Sequence, residues 1–281
     1  MTSFRLSCRD NSFPTLSLQA VFAVLVDLGL EGVDISVSDR HHQLDPAAVV
    51  EDPSGLASNV RRLLAPYDLA VADCFALTGF GPNTLPVNAA TESERTTARA
   101  QFVSFVRFAG AIGAPGLTVL PGIGDDAGAR DLAATELAWR RGVAADAGLG
   151  LSVEPYQASV VKSPADVRRL VEDVSGLQLT LDYSHFVAAG YDDVEVDGLL
   201  PYTRHLQARQ ASPGNLQTVI EDGRIDFGRV VRLLAESGYA GWIGFEYVWN
   251  SWIKPEVDTL GQTTMLRDQL RAVMSQPIAG R

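Results

Sequence analysis

The stretch Ala147-Gly148-Leu149-Gly150-Leu151-Ser152-Val153-Glu154-Pro155-Tyr156 decides the fold. A glycine that can end a helix precedes a short apolar run, and the run finishes on a carboxylate followed by proline. Glycine tolerates the left-handed backbone found just past a helix C-terminus, so Gly148 marks a helix-to-strand joint. The same punctuation recurs at Leu28-Gly29-Leu30, Ala111-Ile112-Gly113 and Ser237-Gly238-Tyr239.

Working outward, short apolar runs predict strands over Phe4–Cys8, Gly32–Ser36, Ala70–Phe75, Gly116–Leu120, Leu149–Glu154, Leu177–Leu181, His205–Arg209 and Trp242–Tyr247. Between them lie longer segments with helical spacing. Leu18–Leu28 carries Val21, Leu25 and Leu28 on one face. Thr91–Gly110 carries Phe102, Phe105 and Phe108, which read as core. Ser54–Leu64, Ala127–Ala147, Pro164–Val174, Phe227–Ser237 and Thr259–Met274 complete the pattern, with Val194–Tyr202 as a weaker, shorter helix. Pro164 behind Ser163 suits a helix start.

Strands that alternate with helices pair in parallel through right-handed crossovers. An open sheet would carry a glycine-rich phosphate turn after its first strand. Here Leu6-Ser7-Cys8 is followed by Arg9-Asp10-Asn11-Ser12-Phe13-Pro14, which is no such turn. The expected fold is therefore α/β, a single (β/α)₈ TIM barrel spanning residues 1–281, and 281 residues suit a barrel of about 250.

Composition narrows the function. A net charge of −11 with no basic stripe argues against nucleic acid as a partner. No run is apolar for long enough to span a membrane, and the amino terminus shows no secretory signal. Cys8 and Cys74 are the only cysteines and form no C-x-x-C pair, which fits a reducing cytoplasm. The expected partner is a small molecule, and exposed barrel helices leave a homo-oligomer open.

The active site of such a barrel lies at the C-terminal ends of its strands. Strand five ends on Glu154, strand six on Asp182 ahead of His185, and strand eight on Glu246. Strand seven runs His205-Leu206-Gln207-Ala208-Arg209, with its odd-numbered positions on one face. A lone carboxylate at a strand end is ordinarily a loop cap or surface charge. Four successive strands delivering such groups to one rim point instead to a shared site. Converging carboxylates repel unless they are protonated or bridged by a cation. Carboxylate and amide oxygens suit Mg²⁺ or Mn²⁺, whereas zinc favours more imidazole or thiolate than is present. His205 reads equally as a core histidine or a site residue. His41 and His42 read as solvated loop residues, and Asp73 as a cap or a site residue.

On these residues the chain resembles the xylose-isomerase-like sugar phosphate isomerase/epimerase superfamily. The resemblance covers nearly the whole chain. It is most specific at Leu177-Gln178-Leu179-Thr180-Leu181-Asp182-Tyr183-Ser184-His185, at Asp222-Gly223-Arg224-Ile225-Asp226-Phe227, and at Gly238-Tyr239-Ala240-Gly241-Trp242-Ile243-Gly244-Phe245-Glu246. It implies metal ligation by Glu154, Asp182, Gln207 and Glu246, with His185 contacting substrate. Gln207 stands where the family usually places a histidine, and His205, one inward position below, is its alternative. Val160 stands where some sugar epimerases carry a second glutamate.

The chemistry implied is proton abstraction next to a carbonyl of a keto-sugar or related polyol. Glu154 and Glu246 are the candidate bases, with His185 as a possible catalytic partner; His185, His205, Arg209 and Lys162 are the candidate substrate contacts. Isomerisation or epimerisation is the first reading. A β-eliminating lyase on a keto-sugar, keto-glycoside or keto-inositol is the second, and the valine at 160 favours it. A zinc endonuclease would need more histidines than the four present. A catalytically inert barrel acting as a binding module is the remaining alternative.

Overall fold

Closure of the sheet follows from β1 (Arg5–Arg9) pairing with two neighbours at once, β2 (Gly32–Val37) on one side and β8 (Trp242–Phe245) on the other. Between them run β3 (Ala70–Ala76), β4 (Gly116–Val119), β5 (Gly150–Val153), β6 (Gln178–Asp182) and β7 (Thr203–Ala208), all parallel and in sequence order. The computed structural model describes residues 4–38, 44–77, 85–249 and 255–276. His41 and His42 lie outside them.

The helices form where the sequence predicts them. They are α1 (Leu18–Asp27), α3 (Pro53–Leu64), α4 (Glu92–Ile112), α5 (Ala127–Asp146), α6 (Pro164–Asp173), α9 (Phe227–Ser237) and α10 (Thr259–Ser275). Two short helices were not foreseen: α2 (Pro46–Glu51) and α7 (Tyr183–Ala188). Each has too few residues to show a period. The weak segment at Val194–Tyr202 resolves into α8 (Asp193–Val196) and a 3₁₀ turn over Asp197–Tyr202. The glycines read as helix terminators, Gly29, Gly113, Gly148 and Gly238, all adopt positive φ.

Outward strand residues such as Ile35, Leu117, Val153, Leu181, Leu206 and Ile243 are buried under the helices. Phe102, Phe105 and Phe108 of α4 join that layer, as expected of core. Removing one such ring costs about 3–5 kcal/mol, because the cavity cannot fully collapse. No helix among the described residues is long and apolar enough to cross a membrane.

The barrel interior is polar. Thr118 Oγ1 donates to Asp73 Oδ2 at 2.5 Å, and Arg204 Nη2 reaches Asp73 Oδ1 at 2.6 Å and Ser152 Oγ at 2.7 Å. Asp73 is thus an interior partner of Arg204. A second group lies beside it: Ser7 Oγ donates to Asp34 Oδ1 at 2.7 Å, and Asp34 Oδ2 stands 2.8 Å from His205 Nε2. Gly244 makes room for that pair. A Cβ there would sit 2.8 Å from His205 Nε2 and closer still to Asp34 Oδ2.

Candidate metal centre and active site

Each site residue is placed by a strand end. Asp182 is the last residue of β6 and pairs in register with Gln207 of β7, which in turn pairs with Gly244 of β8. Glu154 and Glu246 are the residues immediately beyond β5 and β8. Their backbone amides stay tied to the neighbouring strand, Glu154 to Val119 O at 3.0 Å and Glu246 to Ala208 O at 3.2 Å. Asp182 also caps α7, accepting from the Ser184 amide at 2.8 Å. That helix carries His185 round to the same rim.

Ligand atoms of Glu154, Asp182 and His185 lie within 4.8 Å of one another. His185 Nε2 is 3.5 Å from Glu154 Oε1 and 3.8 Å from Asp182 Oδ2. Tyr156 meets the His185 ring edge-on at 6.4 Å. The amide end of Gln207 brings one atom to 2.7 Å from Glu154 Oε1 and 3.1 Å from Glu246 Oε2. With nitrogen in that place, the amide donates to both carboxylates. Turned over, the amide would present its oxygen beside theirs and add a third oxygen donor. These residues therefore fit a hard divalent ion, with oxygen donors in the majority and one imidazole beside them.

The carboxylates have further partners that the sequence did not reveal. Arg9, at the end of β1, makes a buried ion pair with Glu246. Its Nε donates to Ser36 Oγ at 3.1 Å, and its guanidinium lies 3.7 Å from the centre of the Phe75 ring. Arg209 donates from Nη2 to Asp182 Oδ2 at 2.6 Å and from Nε to Ser184 Oγ at 2.8 Å. Burial, with the nearby charges of Glu154 and Asp182 added, pushes the Glu246 carboxyl above its ordinary range against the pull of Arg9 and Arg209. Burial works against the charge on Arg209, but Asp182, Glu246 and Glu154 outweigh it and raise its pKa.

Three of the candidate substrate contacts find partners within the chain itself. Arg209 is only 3% exposed and turns inward onto Asp182, because that buried carboxylate needs a partner. His205 does not reach the rim. It lies one inward position below Gln207, 1% exposed, and spans the interior to Asp34. Burial opposes its proton, yet the charge and hydrogen bond of Asp34 hold its pKa above the usual histidine value. Lys162 stands in an exposed ion pair with Asp125. Val160 is buried and its amide is bound to Gly122 O at 3.1 Å. Arg9 had one usable signal in the sequence: it follows Ser7 by two residues, so both share a strand face.

A closed parallel barrel with acidic groups gathered at its C-terminal rim defines a (β/α)₈ protein with a candidate divalent-cation centre. The chain belongs to the xylose isomerase-like TIM-barrel family, whose profile matches residues 22–269. No curated protein sequence matches it. Among solved structures it is similar to an L-ribulose 3-epimerase, with a TM-score of 0.75 at 18% identity over 97% of this chain and 95% of that one. It is similar to a xylose isomerase-like TIM-barrel protein from Mycobacterium smegmatis in complex with magnesium, with a TM-score of 0.75 at 17% identity over 99% and 100% of the two chains. A probable 3-DHS dehydratase from Bacillus anthracis gives a TM-score of 0.67 at 12% identity, over 96% and 97%. At these identities the likeness is one of fold.

Proposed function

We propose that this chain is a divalent-metal-dependent isomerase or epimerase that acts on a keto-sugar or related polyol by proton abstraction next to a carbonyl. The observation that carries the reading is the convergence of Glu154, Asp182, Gln207 and Glu246 from four successive strand ends, with His185 beside them. Those four residues would hold the ion, Mn²⁺ or Mg²⁺ by their donor chemistry. When bound, the ion supplies positive charge against the enediolate that develops on the substrate.

The protein's own groups divide the proton work. Glu154 is buried, and among the described residues its Oε1 faces His185 and the Gln207 amide. It is the candidate base. Glu246, paired with Arg9 and close to Arg209, is the second candidate proton carrier. His185 orients a substrate oxygen between them, and Tyr156 walls its ring. The substrate is a small molecule, and the setting is a cytoplasm in which the buried Cys8 and Cys74 thiols stay reduced.

One observation favours a second reading. Val160 offers no second carboxylate where it is buried, which suits a β-eliminating lyase working through the same enolate. The test for both is a panel of keto-sugars and keto-polyols in deuterated water, with the protein loaded with Mn²⁺ or Mg²⁺. Deuterium at the carbon beside the carbonyl supports enolisation, and an unsaturated product selects the lyase. Turnover to a saturated product without any exchange argues against both.

A further inference from the structure

Three carboxylates meet at the rim, yet two guanidiniums are already bound to them. Arg9 holds Glu246 and Arg209 holds Asp182, and all four side chains are at most 5% exposed. Both arginines keep a defined place through further bonds. Ser36 and the Phe75 ring fix Arg9, and Ser184 fixes Arg209. Arg209 Nη2 also stands 3.8 Å from Glu246 Oε2, so its charge is felt by both acids. The three acids and the two guanidiniums together leave a single negative charge where three acids alone would carry three.

We infer that Arg9 is a positioning residue that sets the strength of cation binding: it holds Glu246 in place and keeps divalent affinity down. The inference rests on the metal-centre reading of the site and deepens it. The physical argument is one of charge. A guanidinium on Glu246 takes up part of the field that would attract a divalent ion, and it repels that ion in a low-dielectric setting. It also occupies Oε1 of Glu246 and leaves Oε2 beside the Gln207 amide. Arg9 thereby aims the free oxygen while weakening its pull. A site built in this way exchanges its ion readily.

The experiment is calorimetric titration of MnCl₂ into the full chain after chelator treatment. Wild type is compared with Arg9→Met, Arg9→Gln and Arg9→Lys, with folding checked by circular dichroism. The neutral variants Arg9→Met and Arg9→Gln are expected to bind Mn²⁺ on the order of tenfold more tightly than wild type. Arg9→Lys keeps the charge and is expected to bind as wild type does. Structural damage alone would weaken binding and cannot produce the gain. Equal or weaker binding by the folded neutral variants overturns the inference. So does tighter binding by Arg9→Lys, which would make shape rather than charge the cause. The metal-centre reading fails differently: Mn²⁺ then gives no binding heat in wild type or in any variant, and the inference falls with it.

Discussion

Gln207 joins two glutamates that lie far apart in the chain: one atom of its amide end is 2.7 Å from Glu154 Oε1 and 3.1 Å from Glu246 Oε2. His205, two residues earlier on the same strand face, meets neither and pairs with Asp34 instead. One strand thus serves the rim with one side chain and the interior with another.

The two positions should separate in a binding experiment. Gln207→Ala is expected to weaken Mn²⁺ binding at least about tenfold. His205→Ala is expected to leave binding nearly unchanged and to cost about 3 kcal/mol of stability, because Asp34 is left buried and unpaired. Titration calorimetry and chemical denaturation read the two effects. The opposite order would make His205 the ligand.

Replacing either candidate proton carrier should stop turnover without unfolding the barrel. Glu154→Gln and Glu246→Gln are each expected to lower kcat by about 10²–10⁴-fold at unchanged circular dichroism. Retained exchange of substrate hydrogen with solvent in Glu154→Gln would remove it as the base.

Asp10 offers a test by pH. Burial, the largest influence, raises its carboxyl to about 6, although the Ser36 amide hydrogen-bonds to it. The folded state therefore holds this proton more firmly than the unfolded chain does. That contribution is full below the unfolded value near 4 and is lost as pH rises through about 6. Asp10→Asn cannot titrate, so relative to wild type it should gain about 2 kcal/mol in urea-unfolding free energy between pH 4 and pH 7. A constant difference across that range would contradict the assignment.

Gly244→Ala should destabilise the protein by about 1–3 kcal/mol, since the added methyl would press on His205 and Asp34. The same pair gives this region its own pH dependence. The His205 pKa is raised, so its stabilising contribution is present at low pH and is lost as pH rises through that elevated value.

The barrel was legible because its signals are local. An apolar run, a glycine stop and a strand-end acid each lie within a few residues, as at Gly148 to Glu154. The helices that escaped, Pro46–Glu51 and Tyr183–Ala188, are too short to show a period and are started by Asp45 and Asp182. The partners of the acids escaped for a different reason. Arg9 meets Glu246 across 237 positions only because the last strand closes on the first. Charge types alone did not tell which cation would turn inward: Arg209 did, whereas Lys162 stayed at the surface with Asp125.

Asp182 belongs to two structures at once, as the final residue of a strand and the first anchor of the helix bearing His185. Whatever draws on that carboxylate also draws on the helix behind it. The imidazole and the acid are therefore tied to one another through a single short turn of backbone. A ligand that grips one of them meets the other at a spacing set by the backbone.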